Sequence, residues 1–188
     1  ALIIVFQQEV RRFLLVFGNR YIKNGQFSLK KLFRSGKDKP ESLEIAEEIV
    51  KAVESMASKK IGALIVIGRQ SRLDLFTERG EVLKAQISAN LLETIFFKNT
   101  PLHDGAVLIE DGLILAARCP LPVTDQFALP AYLGMRHRAA IGMSEHTDAL
   151  VVVVSEETGR ISVVDGGKVR EKVNPNELRN ILLMEKVW

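Results

Sequence analysis

Residues 106–117 read Ala-Val-Leu-Ile-Glu-Asp-Gly-Leu-Ile-Leu-Ala-Ala. Two apolar runs flank Glu110-Asp111-Gly112, and an Asp-Gly pair in that position is a hairpin signal. Both central residues of the tight turn need a positive φ, which Gly adopts freely and Asp tolerates. The stretch predicts an antiparallel pair, Ala106–Ile109 with Leu113–Ala117. Outward from it, Ile61–Ile67 is a continuous apolar run between Lys60 and Gly68-Arg69, and Val151–Val154 is another. Both are short, bounded and rich in β-branched residues, as strands buried on two faces are. Glu156–Gly159 turns the second run into Ile161–Val164, and Asp165-Gly166-Gly167 turns again toward Val169. Helices interleave with these strands. Pro40 opens an amphipathic helix in which Leu43, Ala46, Ile49, Val50, Val53, Met56 and Ala57 recur at helical spacing. Ser88 can cap a second helix carrying Leu91, Leu92, Ile95 and Phe96, and Asn174-Pro175 starts a last one with Leu178, Ile181 and Leu182. Hairpins mixed with helices predict an α/β fold: a single domain with a central mixed, twisted β-sheet flanked by helices.

The chain of 188 residues is long enough for one domain with a real core, and its 47% apolar and 26% charged residues are ordinary for a globular protein. Cys119 is the sole cysteine, which excludes an internal disulfide and a thiolate zinc cluster and suits a reducing compartment. The net charge of +3 hides an asymmetry: residues 1–39 balance at +7 and residues 40–188 at −4. The basic excess lies outside the predicted domain, which argues against a nucleic-acid-binding fold. Residues 2–17 read as a helix stopped by Gly18-Asn19, followed by a basic linker to residue 39. Two readings fit this segment: a cytoplasmic flank beside anionic lipid, or an amphipathic helix packed on its own domain.

Two short motifs hold the charged chemistry. In Leu133-Gly134-Met135-Arg136-His137-Arg138-Ala139-Ala140 the two arginines would diverge by about 200° in mid-helix. At a helix N-terminus just after Gly134, free N–H groups and the dipole face the same anion as the side chains, a phosphate-binding arrangement. A surface helix with two solvated arginines and a half-buried His137 fits the same residues. In Thr100-Pro101-Leu102-His103-Asp104-Gly105-Ala106, Gly105 and Ala106 leave the backbone bare to a flat ligand. Asp104 could take a proton from a hydroxyl or ligate Mg²⁺ or Mn²⁺, and His103 could share the metal. A turn in which Asp104 merely caps the backbone is the other reading. Ser155-Glu156-Glu157-Thr158-Gly159 closes the Val151–Val154 strand; Ser155 could bond a phosphate and one glutamate could join a metal, while Glu156 reads as part of a polar turn. No P-loop, dinucleotide fingerprint, zincin spacing or nucleophile elbow is present.

Three blocks, Asn99–Ala106, Gly134–Gly142 and Val154–Gly159, resemble in order those of the diadenylate cyclase domain, over roughly Ser42 to Val173. The resemblance implies a reaction in which two ATP give cyclic di-AMP and two pyrophosphates, with Mg²⁺ or Mn²⁺. It implies Asp104 as the group that activates the ribose 3′-hydroxyl or holds the metal. His103 and Glu157 would be further metal ligands, Gly105 and Ala106 would line the nucleotide, and Arg136, His137 and Arg138 would grip the triphosphate beside Ser155. One set of motifs per chain then demands a face-to-face homodimer. Phe6–Arg12 resembles the segment after the transmembrane helices of the membrane-anchored class. By that likeness residues 1–39 are a juxtamembrane helix and linker, and residues 40–188 a catalytic domain. The full-length protein would sit in the cell membrane with this domain facing the cytoplasm, open to regulatory protein partners. Met135 and Pro120 depart from the Thr and Tyr of many relatives, and Tyr132 could supply the missing aromatic. A nucleotide-binding sensor without turnover, or a membrane-proximal scaffold, are the rival classes.

Overall fold

The structure is a computed structural model that describes residues 38–126, 129–130 and 132–184. The helix read at residues 2–17 and the linker as far as residue 37 lie outside the described residues. Residues 38–39, read as linker, belong instead to the first helix. One seven-stranded sheet runs through the rest. Its strands are β1 (Ala63–Ile67), β2 (Glu81–Gln86), β3 (Ala106–Glu110), β4 (Leu113–Cys119), β5 (Leu150–Val154), β6 (Ile161–Asp165) and β7 (Lys168–Glu171), in the order β2-β4-β3-β1-β5-β6-β7. β1 and β3 are parallel and every other neighbouring pair is antiparallel, so the sheet is mixed. The β3–β4 hairpin stands where the Asp-Gly pair put it, with Asp111 at φ 50° and Gly112 at φ 73°.

The four helices are α1 (Asp38–Ser58), α2 (Ala89–Phe96), α3 (Met135–His146) and α4 (Pro175–Met184). α1 starts two residues before the expected Pro40. Proline is tolerated there because first-turn N–H groups have no intrahelical partner to lose. Ser88 caps α2 as expected, accepting from the Leu91 N–H at 3.3 Å.

Alternation along the central strands divides the core into two layers. Ile65, Ile67, Val107, Ile109, Val152 and Val154 face one side, where Ile49, Val53 and Met56 of α1, Phe96 of α2 and Leu178 of α4 cover them. Leu64, Val66, Leu108, Val151 and Val153 face the other side, under Ala140, Ile141 and Met143 of α3. Sequence reasoning passed over β2 because it is an edge strand with little apolar alternation; Val82 on it is exposed.

α3 is the odd element, a polar helix that is nonetheless buried at His137, Gly142 and Ser144. A side chain at Gly142 would overlap the Pro122 carbonyl and sit 2.7 Å from the Thr124 nitrogen. The bare position therefore lets residues 122–124 lie flat on α3. Thr124 fixes that contact, donating its N–H to the Arg138 carbonyl at 3.2 Å and its hydroxyl to Glu145 at 3.1 Å.

Candidate active site

Ala63 of β1 pairs with Val154 of β5, and Ala106 of β3 with Cys119 of β4. One end of the sheet therefore gathers the approach to β1 and β3 together with the exits of β4 and β5. A cavity of about 540 Å³ opens there, in the size range of small-molecule sites. Its polar lining includes His103, Asp104, Arg136, Ser155, Glu156 and Glu157, and its apolar lining Leu64, Leu121, Val123, Tyr132 and Met135. The exit of β5 fits the rule that ligands sit at strand carboxyl ends. For the parallel pair β1 and β3, however, it is the amino ends that face the cavity.

Two of the three sequence blocks converge through the sheet alone. Asp104 is exposed at the mouth of β3. Gly105 has φ 133°, and a Cβ on it would lie 2.8 Å from the Arg118 carbonyl carbon. What presses on the bare backbone is thus the neighbouring strand β4. Ala106 is fully buried among the residues under α3 and does not line the cavity. His103 Nδ1 lies 2.6 Å from the Thr100 carbonyl, which can only accept, so in the neutral ring Nδ1 carries the proton and Nε2 the lone pair. Ser155 accepts the Thr158 N–H at 3.3 Å and retains its own hydroxyl proton to donate.

α3 brings the third block. Gly134 is its N-cap residue with no side-chain cap, so the helix amino end opens on the cavity beside Met135 and Arg136. The Arg136 guanidinium meets Glu156 through Nη1 at 2.9 Å. Arg138 does not line the cavity of this single chain; the divergence of residues two apart persists even at the helix start. His137 reaches the cavity wall, but its ring is buried with Nε2 3.2 Å from the Ser162 hydroxyl.

Burial holds the His137 imidazole below its ordinary value of 6.5, against a smaller opposing pull from Glu171. The unfolded chain therefore binds a proton at higher pH than the folded one. Stability from the neutral ring is fully present above about pH 6.5 and is lost as pH falls through that value toward the lower folded one. Urea unfolding as a function of pH should show that decline, and His137→Gln should flatten it. Cys119, in the same wall, is buried with its thiol pushed up to about 11, so it is a protonated packing residue and no nucleophile.

Some lining residues gave no sequence signal. Leu121 and Val123 sit in an irregular segment and read only as loop. Glu156, read as part of a polar turn, does lie in that turn but also pairs with Arg136. Tyr132 is the aromatic ring among the lining residues; it donates its hydroxyl to Glu171 at 2.9 Å, a bond that raises its own pKa. Pro120 and Met135, the two departures, both line the cavity.

A family model described as DisA bacterial checkpoint controller nucleotide-binding (DAC) matches residues 50–169, more than half of the chain. The chain belongs to the diadenylate cyclase (DAC) family. A diadenylate cyclase of Listeria monocytogenes is 44% identical over 189 residues, covering all of this chain and 66% of that protein. The chain thus spans just under two thirds of that relative's length. The crystal structure of a double-cysteine variant of DacA from Staphylococcus aureus superposes with a TM-score of 0.74 at 42% identity, over 76% of this chain and 95% of that one. A structure of a hypothetical membrane spanning protein from Bacillus cereus gives a TM-score of 0.65 at 44% identity, over 67% of this chain and 62% of that one. The mixed sheet and helices described above are therefore the fold of this family.

Proposed function

We propose that the chain carries a diadenylate cyclase domain, joining two ATP into cyclic di-AMP with release of two pyrophosphates. The observation that carries this reading is the gathering of His103, Asp104, Arg136, Ser155 and Glu157 on one cavity at one end of the sheet. A relative 44% identical over the whole chain bears the name diadenylate cyclase. In each half-reaction the 3′-oxygen of one ATP bonds to the α-phosphorus of the other, the α–β phosphoanhydride bond breaks, and pyrophosphate leaves. Asp104 takes the hydroxyl proton. Arg136, the open amino end of α3 and the Ser155 hydroxyl hold the phosphates. Gly105 lines the nucleotide with backbone alone, while Ala106 supports it from the core. His137, kept neutral by burial, orients the start of α3, and Arg138 stands outside the lining of this cavity.

The family implies a divalent cation, Mg²⁺ or Mn²⁺, and the residues fit one. His103 presents a bare Nε2, and the Asp104 and Glu157 carboxylates are exposed on the same cavity. Among the described residues no group of three His, Cys, Asp or Glu side chains forms a ready metal set. That suits ions which keep water and draw their remaining ligands from substrate phosphates. When bound, the ion neutralises charge on the phosphates.

A chain with one copy of each motif is read as holding one ATP, and the product needs two reciprocal attacks. We therefore read the active form as a two-fold homodimer with the cavities face to face. No helix among the described residues is long and apolar enough to cross a membrane. The likeness to a protein titled membrane spanning and the basic residues 1–39 support a membrane anchor in the full-length protein.

The test is to incubate the purified chain with ATP and Mn²⁺ or Mg²⁺ and to follow cyclic di-AMP by mass spectrometry. Product whose specific rate rises with protein concentration is expected. ATP binding by a demonstrably dimeric sample without product would replace the cyclase reading by that of a nucleotide sensor.

A further inference from the structure

Gly62 stands just before β1, beside the cavity-lining residues Arg136 and Glu156, and its φ lies outside the left-handed region. Nothing in its backbone calls for glycine. The space beside it does: a Cβ there would lie 2.5 Å from Arg136 Nη1, 2.9 Å from Arg136 Cζ and 3.1 Å from Glu156 Cβ. No other neighbour comes as close, so the missing methyl group is filled by the guanidinium itself. Glu156 accepts a hydrogen bond from the same Nη1 at 2.9 Å. Glu156 is 61% exposed, and an ion pair so open to water adds little to stability. Its effect is directional. With Nη1 engaged by Glu156 and the guanidinium packed beside Gly62, the remaining N–H groups are left for an anion in the cavity.

We propose that Gly62 and Glu156 form a seat that holds Arg136 ready for the polyphosphate. Both are positioning residues: neither touches the anion, and each acts through Arg136. The inference deepens the proposed function and rests on the cavity being a phosphate site. The seat limits the entropy lost when Arg136 is ordered by the ligand, which is how preorganisation raises affinity.

A methyl group at Gly62 overlaps only the guanidinium end of a flexible side chain, and Glu156 Cβ at 3.1 Å need give by only a few tenths of an ångström. Arg136 can therefore swing aside and the fold survives. Inorganic tripolyphosphate, titrated calorimetrically into the intact chain, isolates the phosphate seat from turnover. Gly62→Ala is expected to weaken its binding about tenfold with the melting temperature within about 2 °C of wild type. Glu156→Ala should weaken it about threefold, and Glu156→Gln, which keeps the acceptor, should restore it. In an Arg136→Ala background, Gly62→Ala should add less than about twofold, because the two changes act on one interaction.

Wild-type binding of tripolyphosphate without conversion of ATP to cyclic di-AMP would remove the proposed reaction and leave the seat standing. The seat itself would be overturned by no tripolyphosphate binding by wild type, equal binding by Gly62→Ala, or full additivity with Arg136→Ala. A Gly62→Ala chain that melts well below wild type would show that the glycine serves the fold, and would overturn it too.

Discussion

Asp104→Asn should lower cyclic di-AMP formation about a thousandfold, within the range that one general base contributes. Asn keeps the shape and a carbonyl acceptor but cannot take the 3′-hydroxyl proton at neutral pH, and it is a poorer ligand for Mg²⁺ or Mn²⁺. The carboxylate is exposed, outside both core layers, so the melting temperature should hold. Affinity for ATP without metal should hold as well, because Arg136 and the α3 amino end are untouched. The measurement is product by mass spectrometry beside ATP binding by calorimetry. Product at wild-type rates would remove Asp104 from the chemistry; loss of folding would make it a structural residue.

Gly105→Ala, one residue away, should fail for a different reason. Gly105 sits at φ 133°, where an L side chain is strained, and a Cβ would meet backbone at Arg118 and Cys119 at 2.8 and 3.1 Å. Backbone cannot swing aside as Arg136 can beside Gly62. Strain of this kind costs about 1–3 kcal/mol, and forcing β3 and β4 apart adds a similar amount. A destabilisation of about 3 kcal/mol corresponds to a drop of about 6–12 °C for a domain of this size. Thermal and urea unfolding would measure it, and product formation should fall with the fold. An Ala variant as stable as wild type would mean that β4 can shift, and the glycine would then be read as serving the nucleotide alone.

Much of this site was legible because short motifs carry local signals. Asp-Gly at 111–112 specified a hairpin through its φ requirement. Ser88 specified a helix start through its cap, while a start just after Gly134 was one of two readings until the fold placed the N-cap there. The turn and cap constraints act over a few residues and need no tertiary context. Other features had no local cause. β2 lies on an edge where apolar alternation is not needed. Gly62 has ordinary backbone geometry, and only a guanidinium 74 positions later makes its missing side chain matter. Glu156 belongs to a turn of polar residues, and nothing in the turn distinguishes it from Glu157 until Arg136 takes one of them as partner.

By itself the sequence determined the α/β class, most strands and helices, the family and the candidate groups for a polyphosphate site. Periodicity, turn chemistry and residue type are properties of neighbours in the chain, and they survive without a fold. The tertiary structure decided which of those groups share a cavity. It set Arg136 on the cavity and left Arg138 off it, buried the His137 ring against Ser162, and packed Ala106 into the core instead of the lining. The physical reason is that strand register and helix phase fix where each side chain points, and both are set by packing across the sheet. Adjacent residues of one motif therefore end on opposite sides of a core layer.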